Sequence, residues 1–312
     1  MSSKLFKSPL PYLALLLCHI IWGANFVVAK VTLQEIPPNT LAFLRFTFAT
    51  LLLAPFFLAE TKKVKIDKKD IPELVLTGIL IITLNISFFF AGIAKTTVIN
   101  ASVLTLIIPI LSVAFGWIFL KEKVYLINLA GIIAGFLGAI IILRIPQLFI
   151  GSFSPTEVVG NILIILASIA WVIGSVFSRK LLKKYSSLVV TSIAFLVGVL
   201  TFALPSANEF LQNPLWINKI SMLGILGLIY MTLLSSISAY FLFEWGLAKT
   251  SVSTANILQY IEPFVAALLA IALLGEQVTI PLVVGLILIS AGVYLGTLAK
   301  EVHHKSHKTH RF

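Results

Sequence analysis

Apolar stretches of about 20 residues recur ten times along this chain, and that recurrence limits its fold more than any motif does. A stretch of that length crosses the ~30 Å hydrocarbon core of a bilayer as one α-helix. The stretches fall near 12–31, 39–58, 72–93, 97–120 and 124–144, then near 158–182, 187–205, 219–247, 252–274 and 279–299. Short links join them, so no soluble domain is inserted. Of the 312 residues, 59% are hydrophobic and 11% are charged, against about 25% charged in soluble domains. The expectation is an all-α integral membrane protein with ten transmembrane helices. The first stretch follows Lys4 and Lys7 as a signal peptide would, but its apolar run is too long and no small-residue cleavage site follows it.

Lysine and arginine in the links give direction, because they concentrate on the cytoplasmic side. With the N-terminus inside, eighteen of the 23 lie in cytoplasmic links or tails, among them Lys62, Lys63, Lys121, Lys123, Arg179 and Lys184. Four lie outside (Lys30, Lys95, Arg144 and Lys219), and Arg45 lies within a span. Both termini are therefore expected to be cytoplasmic. The net charge of +11 follows from topology, so no nucleic-acid partner is implied. The single cysteine, Cys18, sits in an apolar run and supports neither a disulfide framework nor a metal site.

Residues 92–124 and 246–278 are one module written twice, 154 residues apart, with 12 of 33 positions identical. Gly92-Ile93-Ala94-Lys95-Thr96 returns as Gly246-Leu247-Ala248-Lys249-Thr250, Pro109 as Pro263, and Glu122 as Glu276. Five spans per half is an odd number, so the second copy is expected to be inverted in the membrane. The charges agree: the cytoplasmic turn Lys121-Glu122-Lys123 returns as Gly275-Glu276-Gln277, which has lost both lysines. Inverted halves place a substrate pathway between them.

These features resemble the drug/metabolite transporter superfamily, in its ten-helix type with two EamA domains. The residues carrying the resemblance are Trp22-Gly23-Ala24-Asn25-Phe26, Arg45, the two Ala-Lys-Thr turns, Ile108-Pro109 and Glu262-Pro263, with the Leu-Lys-Glu and Leu-Gly-Glu ends at 120–122 and 274–276. The resemblance covers roughly residues 10 to 299 and implies secondary transport of small metabolites through a cavity lined by spans 1, 3, 4, 6, 8 and 9, with spans 5 and 10 peripheral. The halves are then residues 10–144 and 158–299. A basic tail at 300–312 carries His303, His304, His307 and His310 and suits anionic lipid better than a metal.

Glu262 is the leading site candidate, mid-span and directly before Pro263. A carboxylate there costs at least about 2.5 kcal/mol on insertion scales, so it is expected to face a partner or a wet cavity. It suits an amine, a cation or a carried proton. Proline also leaves a carbonyl one turn earlier without its helical donor. At ~100° per residue Asn256, Gln259 and Tyr260 cluster on one face near Glu262. Their first-half equivalents, Ser102, Thr105, Leu106 and Ile108, are less polar. Trp22, with Asn25 on nearly the same face, and Trp171 occupy matching places in spans one and six and suit an amphipathic substrate or helix packing. His19 is a proton-relay candidate or a neutral interhelical bond. Asn85, Asn100 and Tyr240 are further wall candidates, although asparagine also joins helices. Arg45 is open to pairing with Glu262, to an anionic substrate, or to snorkelling outward. Glu244 is expected to reach water near the cytoplasmic end of its span and to act structurally or in gating. Gly131-x-x-x-Gly135 and Gly292-x-x-x-Gly296 permit close packing within the chain or in a homodimer.

The function expected is secondary transport of a small polar or amphipathic metabolite, amino-acid-like, across the cytoplasmic membrane by alternating access. The resemblance favours export, and Glu262 with His19 suits proton coupling. Uptake or exchange of a metabolite such as S-adenosylmethionine or a nucleotide derivative is the alternative. A membrane-embedded enzyme is disfavoured, because no span contains Asp and no His-Glu-x-x-His run occurs. No Gly-x-x-x-x-Gly-Lys-Ser/Thr loop occurs either, so neither direct ATP drive nor a cofactor is expected.

Overall fold

The computed structural model describes residues 9–120, 126–142, 154–250 and 252–292, and every element among them is helical. Helices α1 (Leu10–Thr32), α2 (Pro38–Thr61) and α3 (Lys68–Ile93) come first. Helix α4 is broken into Val98–Leu104 and Ile107–Leu120, and α5 covers Leu126–Ile142. Then follow α6 (Pro155–Leu181), α7 (Ser187–Gln212) and α8 (Met222–Lys249). Helix α9 is broken into Val252–Ile257 and Ile261–Leu274, and α10 covers Ile280–Gly292. Six of these, α1, α2, α3, α6, α7 and α8, are long and apolar enough to cross a membrane. Pro38 and Pro155 start their helices, where a missing N–H has no cost.

Interruptions of the helices recur at equivalent places in the two halves. Helix α3 widens into a π turn at Ile79–Leu84 and α8 at Met231–Ser238. Shifted by the 154-residue repeat, the first falls on 233–238. Helix α4 breaks at 105–106 and α9 at Leu258–Tyr260, each about one turn ahead of Pro109 or Pro263. The cause is the missing proline N–H, which leaves the carbonyls of Thr105 and Gln259 without their helical donors. In α4 that carbonyl is not left open, because the Ile108 N–H takes it at 2.9 Å.

The packing has the same symmetry. Helix α1 lies against α8 and α9, just as α6 lies against α3 and α4, while α2 packs on α7 and α4 on α9. Exchanging the halves maps these pairs onto themselves. Glycines join α5 to α10 in the same way: a Cβ on Gly138 would meet the Gly285 carbonyl at 2.7 Å, and one on Gly292 the Gly131 carbonyl at 2.5 Å. The glycine spacing thus serves packing within the chain.

The distribution of polarity is that of a protein in lipid. Leu200, Leu204, Phe264 and Leu268 point outward, while Arg45, His19, Glu244 and Glu262 are buried at 1–3% exposure. Charged groups in a bilayer face the interior of the bundle, where partners can hold them.

At the helix ends, acidic side chains tie the halves together. Glu276, after α9, accepts from the N–H groups of Val98 (2.7 Å) and Ile99 (2.9 Å) at the start of α4. Glu276 therefore caps the first turn of a helix in the opposite half. Glu35, between α1 and α2, accepts from the Ser221 N–H and hydroxyl, both at 2.7 Å, at the start of α8. At the equivalent joint of the other half, Lys184 (2.8 Å) and Tyr185 (2.6 Å), between α6 and α7, hold Asp70 at the start of α3. Lys121, Glu122, Lys123, Gly296 and the histidine-rich tail lie outside the described residues.

Candidate functional site

Between the halves lies a cavity of about 90 Å³, room for several waters or part of a small ligand. Its wall comes from α1, α3, α4, α6, α8 and α9, with Arg45 added from α2. Of the sequence candidates it brings together His19, Trp22, Asn25, Asn85, Trp171, Tyr240, Gln259 and Glu262.

His19 and Glu262 form the polar centre. Glu262 opens the second piece of α9, and close packing of α1 at Gly23, where a Cβ would sit 3.0 Å from the Glu262 carbonyl, brings the helices together. His19 Nδ1 lies 2.6 Å from Glu262 Oε1, and Nε2 lies 2.9 Å from the Ala255 carbonyl oxygen. A carbonyl only accepts, so Nε2 carries a proton and the tautomer is fixed. One further proton then lies between Nδ1 and Oε1, whether the pair is written as imidazolium and carboxylate or as imidazole and carboxylic acid. Loss of that proton would leave a buried carboxylate facing an imidazole lone pair. The pair can therefore hold either a proton or another cation. Gln259 Nε2 is 3.4 Å from the other carboxyl oxygen.

An aromatic wall stands beside this pair. The Trp22 ring meets Trp171 edge-on at 5.1 Å between centroids and Tyr240 at 5.3 Å, and His19 lies 5.6 Å from Trp22. Phe243 closes the group from one side, 4.9 Å from Trp171. The Trp22 Nε1–H donates to the Ser235 carbonyl at 3.0 Å. That carbonyl belongs to the π turn of α8. Single π turns are frequent at functional sites because they re-aim backbone and side chains.

Several expectations need correction. Asn100 is turned away from the cavity and donates to Glu157 at 2.7 Å. Asn256 donates to Ser112 at 2.9 Å and is not in the wall. Both serve contacts between helices. The side chain of Tyr260 lies outside the described residues. Glu244 does not reach water: it is 2% exposed and accepts from the Ser178 hydroxyl at 2.6 Å. Arg45 neither snorkels nor forms an ion pair with Glu262 among the described residues. Its Nε donates to Ser236 Oγ at 2.7 Å and its Nη2 to Ser235 Oγ at 3.3 Å.

Wall residues that the sequence did not single out for binding include Phe26, Phe89, Ser168 and Ser235. Helix phase could have found Phe26, four residues after Trp22 and so on its face. Ser235 had no such signal, because the π turn changes the phase there.

The comparisons with known proteins agree with this architecture. The model of the EamA-like transporter family matches residues 9–144 and again residues 158–298. The chain belongs to the EamA-like transporter family. This EamA-like protein is a multi-pass membrane transporter. It is 26% identical over 285 residues to an uncharacterized transporter of Clostridium kluyveri, covering 90% of this chain and 91% of that one. It is 28% identical over 291 residues to an uncharacterized transporter of Archaeoglobus fulgidus, covering 93% and 98%. A probable amino-acid metabolite efflux pump of Salmonella typhimurium is 28% identical over 309 residues, covering 93% and 95%. One solved crystal structure shares the fold, with a TM-score of 0.63 at 20% identity over 91% of this chain and 96% of the other.

Proposed function

We propose that this transporter exports a small amphipathic, amine-bearing metabolite of amino-acid type across the cytoplasmic membrane, by alternating access and in exchange for a proton. The observation that carries this reading is the buried His19–Glu262 pair, facing a cavity walled by Trp22, Trp171 and Tyr240. An ammonium group and the shared proton compete for the same carboxylate, so binding one favours release of the other. That competition is the minimal requirement of an antiporter. The aromatic faces add cation–π attraction for the amine and apolar contact for the rest of the molecule. The name of the Salmonella relative supports the substrate class and the outward direction.

The same reading includes ten transmembrane helices in two inverted halves with both termini in the cytoplasm. The exchange symmetry of the packing and the matched π turns support it. Rocking of one half against the other would expose the cavity to each side in turn.

Proteoliposomes containing the full chain, given labelled L-amino acids and an imposed pH gradient, test the proposal. Wild-type flux should rise with the gradient, and Glu262→Gln should be indifferent to it. Full gradient-driven flux in Glu262→Gln would sink proton exchange at this pair.

A further inference from the structure

Among the described residues Arg45 stands first of the largest fully buried side chains, and it carries a charge. Two neutral serine hydroxyls, both on the π turn of α8, hold Nε and Nη2. The guanidinium lies 4.9 Å from the centre of the Phe46 ring. Nη1 is buried and has no hydrogen-bond partner among the described residues. No ion pair engages Arg45 among the described residues, although the protein forms such pairs elsewhere, as at Lys184 and Asp70. A buried guanidinium without an anion is costly, and it persists where something else completes it. Arg45 lines the same cavity as Glu262.

The other fully buried polar atoms of wall residues that lack a partner among the described residues are acceptors. Asn25 Oδ1 and Gln259 Oε1 are both buried without donors, and both residues line the cavity. The cavity therefore presents an unsatisfied cationic donor from α2, and unsatisfied acceptors together with a carboxyl group from α1 and α9. A molecule that satisfies both carries an anionic acceptor group and a cationic donor group.

We propose that Arg45 is the carboxylate subsite of the transport cavity, so that the substrate is bound as a zwitterion. The serines fix the guanidinium in orientation, and Nη1 with the remaining Nη2 hydrogen meets the carboxylate while the ammonium lies toward Glu262, Asn25 and Gln259. A carboxylate fits better than a phosphate ester, because a second negative charge would be repelled by Glu262 in so small a cavity. This rests on the amine reading above and adds to it the other end of the substrate.

The purified full chain in detergent supplies its own probe, because Trp22 and Trp171 stand in the wall and their emission should respond to a ligand. With tryptophan-selective excitation, L-phenylalanine is compared with phenethylamine, L-leucine with isopentylamine, and 3-phenylpropionate tests the acid alone. Thermal unfolding provides the second readout. Wild-type protein should bind at least one amino acid tenfold or more tightly than the amine lacking its carboxylate. Arg45→Gln should bring that ratio to within twofold of one. Arg45→Lys keeps the charge but loses the fork, and should lower the ratio at least threefold.

If Arg45→Gln does not fold, Arg45→Lys decides, and an unchanged ratio there overturns the proposal. Equal binding of amino acid and amine by the wild type also overturns it and leaves the amine reading in place. Binding of 3-phenylpropionate as tight as L-phenylalanine, lost in Arg45→Gln and unaffected by Glu262→Gln, keeps the Arg45 subsite and removes the amine reading. No response to any of the five compounds overturns both.

Discussion

Helices α4 and α9 carry the same interruption and present opposite chemistry to the cavity. Each breaks ahead of a proline, and each turns two equivalent residues inward: Thr105 and Ile108 from α4, Gln259 and Glu262 from α9. Their partners differ in the same sense. Helix α1 brings His19 to α9, while α6 brings Ser168 to α4, and the Ser168 hydroxyl bonds within its own helix to Ile164 O at 2.9 Å. The difference teaches that backbone symmetry and chemical asymmetry have separate origins. Proline and glycine positions, kept in both copies, make the shape, and a few wall side chains give it one buried carboxyl–histidine pair instead of two.

The largest expected effect comes from moving the acid to its mirror position. The double variant Ile108→Glu with Glu262→Ile keeps composition and break geometry but removes the acid from His19. Gradient-driven amino-acid flux in proteoliposomes should fall ~100-fold, toward the upper end of the range for losing a charge-assisted hydrogen bond of about 1.5–3 kcal/mol. Restored flux would mean that any acid on either wall suffices and that pairing with histidine is incidental.

His19→Gln sharpens the same contrast from the other helix. The amide can still meet Glu262 or Ala255 but cannot carry the shared proton as imidazolium. Flux along the pH gradient should drop about 10-fold or more, on the scale of one hydrogen bond to a charged group. Gradient-independent exchange of substrate should survive better. Equal loss of both would point to a packing role for the ring.

Much of this site was legible in the residue order. The apolar runs marked the helices, Pro109 and Pro263 marked the breaks, and Glu262, His19, Trp22 and Trp171, each beside polar or small neighbours, stand in one wall. What escaped did so for two physical reasons. A helical wheel assumes an unbroken helix, and α9 is interrupted at Leu258–Tyr260. Asn256 is therefore rotated off the face that carries Gln259 and Glu262. Arg45 and Glu244 depend on serines far away in sequence, Ser235, Ser236 and Ser178. No local pattern announces such hydroxyls, and two of them sit on a π turn whose phase an apolar period does not reveal.

Away from the cavity the comparison turns on stability. Glu276 joins the end of α9 to the first turn of α4 with two charge-assisted bonds. Glu276→Ala should cost about 0.5–2 kcal/mol, the range for losing an N-cap acceptor, seen as a Tm lower by a few degrees in detergent. Substrate affinity, read from tryptophan emission, should change little. A large loss of affinity with an unchanged Tm would instead place Glu276 in the transport machinery.

The smallest effect separates the two equivalent loop joints by pH. Glu35 is held below the usual carboxylate range, first by the Ser221 N–H and then by its hydroxyl. A depressed carboxyl pKa contributes stability that is complete above the ordinary value of about 4.3 and is lost as pH falls through the lowered one. Lys184 is held above its ordinary range, first by its hydrogen bond to the Asp70 carboxylate. Its contribution is complete below about 10.4 and is lost as pH rises through the raised value. Glu35→Gln should therefore flatten a small acid-side loss of Tm and leave the alkaline side unchanged. Lys184→Met should remove an alkaline-side loss that Glu35→Gln leaves intact. The two joints tie equivalent elements, but the carboxylate sits on the loop in one half and on the helix start in the other. On the topology proposed above, that exchange of polarity follows from the side of the membrane each joint would face, since lysine is favoured in cytoplasmic links. Identical alkaline profiles for Lys184→Met and wild type would show that the Asp70–Lys184 pair holds nothing and that Tyr185 alone secures the joint.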